Sequence, residues 1–160
     1  MSTPLRVRVM DPSEAGVVSE LIAASIRAKL PQVYPPEVVE VLAQANHPRG
    51  VVNHLAKQTD YVALVDGQIV GMAGLKRNEI GHLYVAPQHV GRGVGTALVR
   101  FAAEMFRRAG YDHMIVLASL NAAGFYERCG FVEESRGRFN VGDGLPLEYV
   151  RMRAPLIAQA

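Results

Sequence analysis

Tryptophan is absent from the 160-residue chain and cysteine occurs once, as Cys129. A lone thiol cannot close an internal disulfide, so the cysteine usage points to a reducing, cytoplasmic setting. The N-terminal stretch MSTPLRVRVMDPSE has no apolar core of the kind a secretory signal needs, and no apolar run reaches the roughly 18 residues of a membrane span. Blocks of like charge are missing too. The 17 Lys and Arg face 15 Asp and Glu for a net charge of +2, which argues against a nucleic-acid or membrane-surface protein and leaves phosphate-bearing small molecules open. Lysine does not recur after Lys76, so no later glycine loop ends in the Gly-Lys-Ser/Thr of a nucleotide P-loop. His47, His54, His89 and His113 show no HExxH or other ligand spacing, and no metal is expected.

What is present is ordinary globular composition, 49% hydrophobic and 20% charged, and the length fits one domain over residues 1–160. Leu5 to Met10 alternates apolar and basic residues, the period of a half-buried strand. Asp11, Pro12 and Glu14 then form a capping-box signature for a helix running to about Leu30. Glu37–Gln44 and Val51–Gln58 read as two shorter helices. Asp66-Gly67 between two β-rich runs is a strong hairpin signal, and a third strand, EIGHLYV, follows. A helix is expected from Val94 to Ala109, a buried strand in HMIVLA, a short helix in NAAGFYERCG, and two last strands joined around Gly142, Asp143 and Gly144. The order β, helices, βββ, α, β, α, ββ predicts an α/β (α+β) fold built on a mixed sheet flanked by helices.

Between EIGHLYV and the Val94 helix lies VGRGVGT, with Gly91, Gly93 and Gly95 at alternate positions. Such a loop turns successive N–H groups toward one point, and the helix it enters adds unpaired first-turn donors and a positive dipole end. The predicted ligand is a phosphate or pyrophosphate. A dinucleotide fingerprint fails, because Thr96 stands where G-x-G-x-x-G needs its last glycine.

The pattern Gln/Arg-x-x-Gly-x-Gly/Ala does fit, filled by Gln88, His89, Val90, Gly91, Arg92 and Gly93 after LYVAP. Together with NAAGFYERCGF, the GQIVGMAGL hairpin and the closing LEYVRMRAPL, it makes the chain resemble the GNAT superfamily of acetyl-CoA-dependent N-acetyltransferases over roughly Tyr61 to Leu156. That resemblance implies a mixed sheet of about seven strands with a cofactor cleft between two splayed central strands. The pyrophosphate of acetyl-CoA would sit on main-chain N–H groups of Val90, Gly91, Arg92, Gly93, Val94 and Gly95, beside the motif residue Gln88. The backbone of Leu83 and Val85 would pair with pantetheine, the Leu83 N–H aimed at the thioester oxygen. Asn121 would make a second cofactor contact, although it lies five residues before Tyr126 where the commoner family form leaves seven. Tyr126 matches the tyrosine that protonates the departing thiolate, and Glu79 the glutamate that takes the amine's proton.

Other readings of these residues stand beside the resemblance. Glu79 also fits a solvated charge next to Lys76 and Arg77, and His82 competes as base because imidazole titrates near neutrality. Strand alternation places Glu79 and His82 on opposite faces, so only one of them is expected to serve the amine. Phe125 and Tyr126 suit core packing as well as catalysis, and Cys129 reads as a core thiol. The expected activity is transfer of an acetyl group to a primary amine of a small molecule or a protein, with a non-catalytic acyl-CoA sensor as the alternative. The acceptor pocket would come from about Ala24–Gln58 and Arg136–Leu147, with Tyr34 and the His47-Pro48-Arg49-Gly50 turn as possible walls. Homodimers are common in the family.

Overall fold

The computed structural model describes residues 4–141 and 144–156. The turn expected at Gly142-Asp143 lies outside the described residues. Strand β1 (Arg6–Val9) is followed by three helices, α1 (Ala15–Lys29), α2 (Pro36–Ala45) and α3 (Pro48–His54). Then come β2 (Thr59–Val65), β3 (Gln68–Lys76), β4 (Glu79–Val85), α4 (Val94–Arg108), β5 (His113–Ser119), α5 (Ala123–Arg128), β6 (Val132–Asn140) and β7 (Pro146–Pro155). The seven strands form one sheet in the order β1-β2-β3-β4-β5-β7-β6. Among the described residues no helix is long and apolar enough to cross a membrane.

Local signals account for most of these boundaries. Asp11 accepts from the Ser13 N–H at 2.9 Å while the Asp11 N–H donates to Glu14 at 2.8 Å, so the capping box forms as a 3-10 turn that hands over to α1. Arg8 pairs with Glu14 at 2.8 Å, and this guanidinium, helped by the Asp11 N–H, holds the carboxyl down at about 2. At the hairpin Asp66 and Gly67 take φ values of 52° and 76°, the left-handed pair of a two-residue turn. One expectation is corrected: α3 spans Pro48–His54, not Val51–Gln58. Pro48 pre-sets the first helical φ, and the His47 Nδ1 accepts from the Gly50 N–H at 3.0 Å in the manner of a cap. Gln58 is thereby released from the helix to serve elsewhere.

Period-two alternation divides the core between the faces of the sheet. Ala63, Ala73, Val116 and Met152 pack beneath α4 and α5, whereas Val62 and Met72 pack beneath α1 and α2. Two irregularities in the middle of the sheet shape everything that follows. In the antiparallel β3–β4 pair, Leu75 opposes Ile80 but Gly74 opposes His82, so Gly81 is an extra residue and β4 is bulged there. The parallel β4–β5 pair is joined only at Glu79–Ile115 and Ile80–Val116, after which the strands part.

Tyr34, between α1 and α2, ties the helical layer to the far half of the sheet. Its buried hydroxyl donates to the Glu148 carbonyl at 2.6 Å and accepts from the Leu120 N–H at 2.9 Å. Removing the hydroxyl strands both backbone groups, so Tyr34→Phe is expected to cost about 1–3 kcal/mol of stability. Urea unfolding measures this, and an unchanged midpoint would show that the tie carries no net stability.

Candidate active site

Where β4 and β5 part, each strand loses a hydrogen-bonding neighbour on the side facing the other. The Ala86 N–H, just past the end of β4, donates to the Val70 carbonyl of β3 at 2.9 Å. Alternation along the extended chain then turns the N–H groups of Leu83 and Val85 away from β3 and toward the gap. Two cavities, of about 630 and 330 Å³, open on this gap. Leu83, Tyr84, Ser119, Ala122 and Tyr126 line both of them, so the cavities meet at the parted strands.

The larger cavity runs along the glycine loop. Gly91 and Gly93 have φ values of 80° and 83°, a conformation that residues with a Cβ adopt only at a cost. Gly93 is the N-cap of α4 without a side-chain cap, and the first bond into the helix runs from the Ala97 N–H to the Gly93 carbonyl. The N–H groups of Val94, Gly95 and Thr96 therefore remain as donors at the positive end of α4, beside the cavity they line. At Gly95 the reason for glycine is packing: a Cβ there would come within 3.0 Å of the Phe125 ring. The first turn of α4 thus rests on α5, and the two sequence segments that carried the resemblance touch.

Of the expected cofactor residues, Leu83, Val85, Val90 and Gly91 line the larger cavity, and so do Gly93, Val94, Gly95 and Asn121. Gln88 and Arg92 are exposed and stand outside its lining. The Asn121 Oδ1 and the His89 Nδ1 are buried with no hydrogen-bond partner, and both residues face this cavity. Tyr126, on α5, is 5% exposed and packs edge-on to Phe125 and Phe131. Burial, with smaller contributions from Tyr84 and Cys129, pushes its hydroxyl far above the usual phenol range. Burial likewise pushes Tyr84 up to about 12. Cys129 lines neither cavity, and burial raises its thiol.

The smaller cavity lies beneath the α1–α3 layer and holds both Glu79 and His82. Their expected separation onto opposite faces does not occur, because the Gly81 bulge adds a residue and shifts the alternation. Ile80 and Leu83 pack on the same core, which puts Glu79 and His82 together on the other face. Behind His82 stands a chain of polar groups that sequence reasoning missed. The Gln58 Nε2 donates to the Asp60 Oδ1 at 2.6 Å, which leaves its Oε1 facing the His82 Nδ1 at 3.2 Å. The Nδ1 must carry the proton in that pair, so the Nε2 keeps its lone pair. Gly74 and Gly81 make room for this amide: a Cβ on Gly74 would meet the Gln58 Nε2 at 2.2 Å, and one on Gly81 the Oε1 at 3.2 Å. His54 stacks on His82 with ring centroids 5.0 Å apart. Burial, and secondarily the charge of His54, pushes His82 down to about 4.

A family model described as an acetyltransferase (GNAT) domain matches residues 57–133. The crystal structure of a GCN5-related N-acetyltransferase (Aminotransferase, Class-II) from Rhodopseudomonas palustris is 33% identical, superposes with a TM-score of 0.90 and is matched over 98% of both chains. The chain belongs to the GCN5-related N-acetyltransferase family. The "Uncharacterized N-acetyltransferase YafP" of Escherichia coli (strain K12) is 27% identical over 127 residues, 79% of this chain and 81% of that one. The PaiA N-acetyltransferase of Thermoplasma acidophilum, solved in complex with coenzyme A, shares the fold with a TM-score of 0.76 at 19% identity, over 95% of this chain and 99% of that one. This acetyltransferase takes acetyl-CoA as cosubstrate, and the free N–H donors at the start of α4 suit its phosphate groups.

The buried histidine ties stability to pH. An unfolded histidine titrates near about 6.5, and His82 in the folded chain near about 4. Between those values the unfolded chain binds a proton that the folded chain refuses. His82 therefore contributes fully above about pH 6.5, and its contribution is lost as pH falls toward about 4. Unfolding free energies from urea titrations at about pH 7.5 and pH 5 should differ less for His82→Gln than for the wild type, by on the order of 1–2 kcal/mol. Equal pH dependence in the two proteins would show that His82 titrates normally.

Proposed function

We propose that the protein transfers the acetyl group of acetyl-CoA directly to a primary amine, with the thioester held at the gap between β4 and β5. One observation carries this reading: the two cavities share their lining only around Leu83, Tyr84, Ser119, Ala122, Tyr126 and Leu30, where a donor in one meets an acceptor in the other. The loop N–H groups from Val90 to Gly95, with Gln88, Arg92 and Asn121 around them, hold the phosphate-bearing end. The N–H groups of Leu83 and Val85 hold the pantetheine arm, that of Leu83 polarising the thioester carbonyl.

The amine nitrogen attacks the carbonyl carbon, the new C–N bond forms as the C–S bond breaks, and the amine gives up a proton. Glu79 receives that proton, with water bridging the distance along β4; the neutral His82 Nε2 accepts a hydrogen bond from the amine and aligns it. Tyr126 donates a hydrogen bond to the leaving sulfur. Because its hydroxyl is held so far above an ordinary phenol, complete transfer to a thiolate whose thiol titrates near about 8.5 runs uphill, and the sulfur takes its proton from solvent on release.

Calorimetry with acetyl-CoA, then thiol release with an amine, tests the assignment. Gly91→Val and Gly93→Val should weaken acetyl-CoA binding by about tenfold or more, because each forces a Cβ into the left-handed region. Glu79→Gln should lower kcat by about 10²-fold or more, and Tyr126→Phe by about tenfold, with acetyl-CoA binding unchanged. Absence of binding to both acetyl-CoA and free coenzyme A would overturn the reading.

A further inference from the structure

The smaller cavity has a one-sided chemistry. Among its lining residues there is no Lys and no Arg. Asn46 is 5% exposed; its Nδ2 donates to the Leu42 carbonyl at 2.9 Å, and its Oδ1 is buried without a partner. Glu79 and the Nε2 of His82 are acceptors on this cavity, and the Asn46 Oδ1 is an unsatisfied acceptor buried just behind its wall. Lys76 opposes Glu79 in the β3–β4 register but is exposed, does not line the cavity, and makes no ion pair with Glu79 among the described residues. Glu148 lends the cavity its backbone, whose carbonyl the Tyr34 hydroxyl occupies. Its side chain points to the opposite face of β7 from Leu147 and Tyr149, toward Arg136, which is itself bonded to Glu133.

Beside His54, Ser119 and the tyrosines, much of the remaining wall is apolar and aromatic. Phe139 and Tyr149 lie with centroids 5.5 Å apart, and Leu42 and Leu147 add aliphatic surface. Phe139 and Leu117 are 48% and 38% exposed, so apolar surface continues to the rim. A volume of about 330 Å³ is at the small end for ligand pockets, which run from roughly 300 to 1,000 Å³.

We infer that the acceptor is a small primary amine with an aromatic or similarly bulky apolar body and no carboxylate. This rests on the acetyltransferase reading and narrows it. The ammonium form supplies donors to Glu79 and the His82 Nε2, and the aromatic walls favour both a cation and an apolar ring. An acceptor carboxylate would instead be buried against Glu79 with no Lys or Arg on the cavity to offset it.

A matched pair of probes decides. 2-Phenylethylamine and phenylalanine share ring and amine and differ by the carboxylate. Thiol release should give a kcat/KM at least 100-fold higher for 2-phenylethylamine. Asn46→Ala and the rim variant Phe139→Ala should each raise its KM by about fivefold or more while calorimetry shows unchanged acetyl-CoA binding. Phe139→Ala keeps the test open should the buried Asn46 variant misfold. Comparable turnover of phenylalanine, or turnover of a peptide N-terminus alone by a preparation that binds acetyl-CoA, overturns the acceptor assignment and leaves the acetyltransferase reading standing. Loss of acetyl-CoA binding in the wild type overturns both.

Discussion

Two residue pairs hold β4 to β5, and the rest of the site follows from how early that pairing ends. In a parallel ladder every further residue would have exchanged hydrogen bonds with its neighbour. Here the strands stop at Ile80 and Val116 and leave the inner edges of Leu83 and Val85 on one side, and of the end of β5 on the other, without a strand partner. Unpaired buried backbone is costly unless something else bonds to it. A ligand with its own amides is the economical occupant, and the outer strands, paired over their full lengths, keep the sheet from closing the gap.

Glycine serves different ends along this site. At Gly91 and Gly93 the backbone conformation demands it, and around each of them the space is open. Gly74 and Gly81 are instead vacancies in two facing strands that a glutamine amide fills. The amide then fixes which imidazole nitrogen of His82 carries hydrogen, with the buried Asp60 carboxylate holding the amide in turn. Three side chains from the α3–β2 junction and the middle of β4 become one positioning unit by this means.

The sequence made the scaffold readable because its signals are local. Capping box, Asp-Gly turn and helical spacing each act within a few residues, and β1, the hairpin, α4 and β7 fall close to where those signals put them. The glycine loop was legible for the same reason. What was not legible depends on register. Gly81 looks like any strand glycine until Gly74 is seen to oppose His82, and only then does the bulge bring Glu79 and His82 to one face. Gln58 and Asn46 carry no motif, and the His82 ring that Gln58 faces is distant in the chain. Misplacing α3 hid Gln58 further, since a residue read as helical is not sought beside a strand.

The Tyr34 tie has a kinetic corollary. By joining the α1–α2 corner to Glu148 and Leu120, it roofs the smaller cavity with a layer bonded to both β7 and the end of β5. In the acetyl transfer proposed above, the amine would reach that cavity past the exposed rim at Phe139 and Leu117, while acetyl-CoA would occupy the glycine-loop cavity. Neither substrate stands in the other's doorway, and neither cavity offers a thiol on which an acetyl group could rest. Geometry of that kind accommodates a ternary complex assembled in either order.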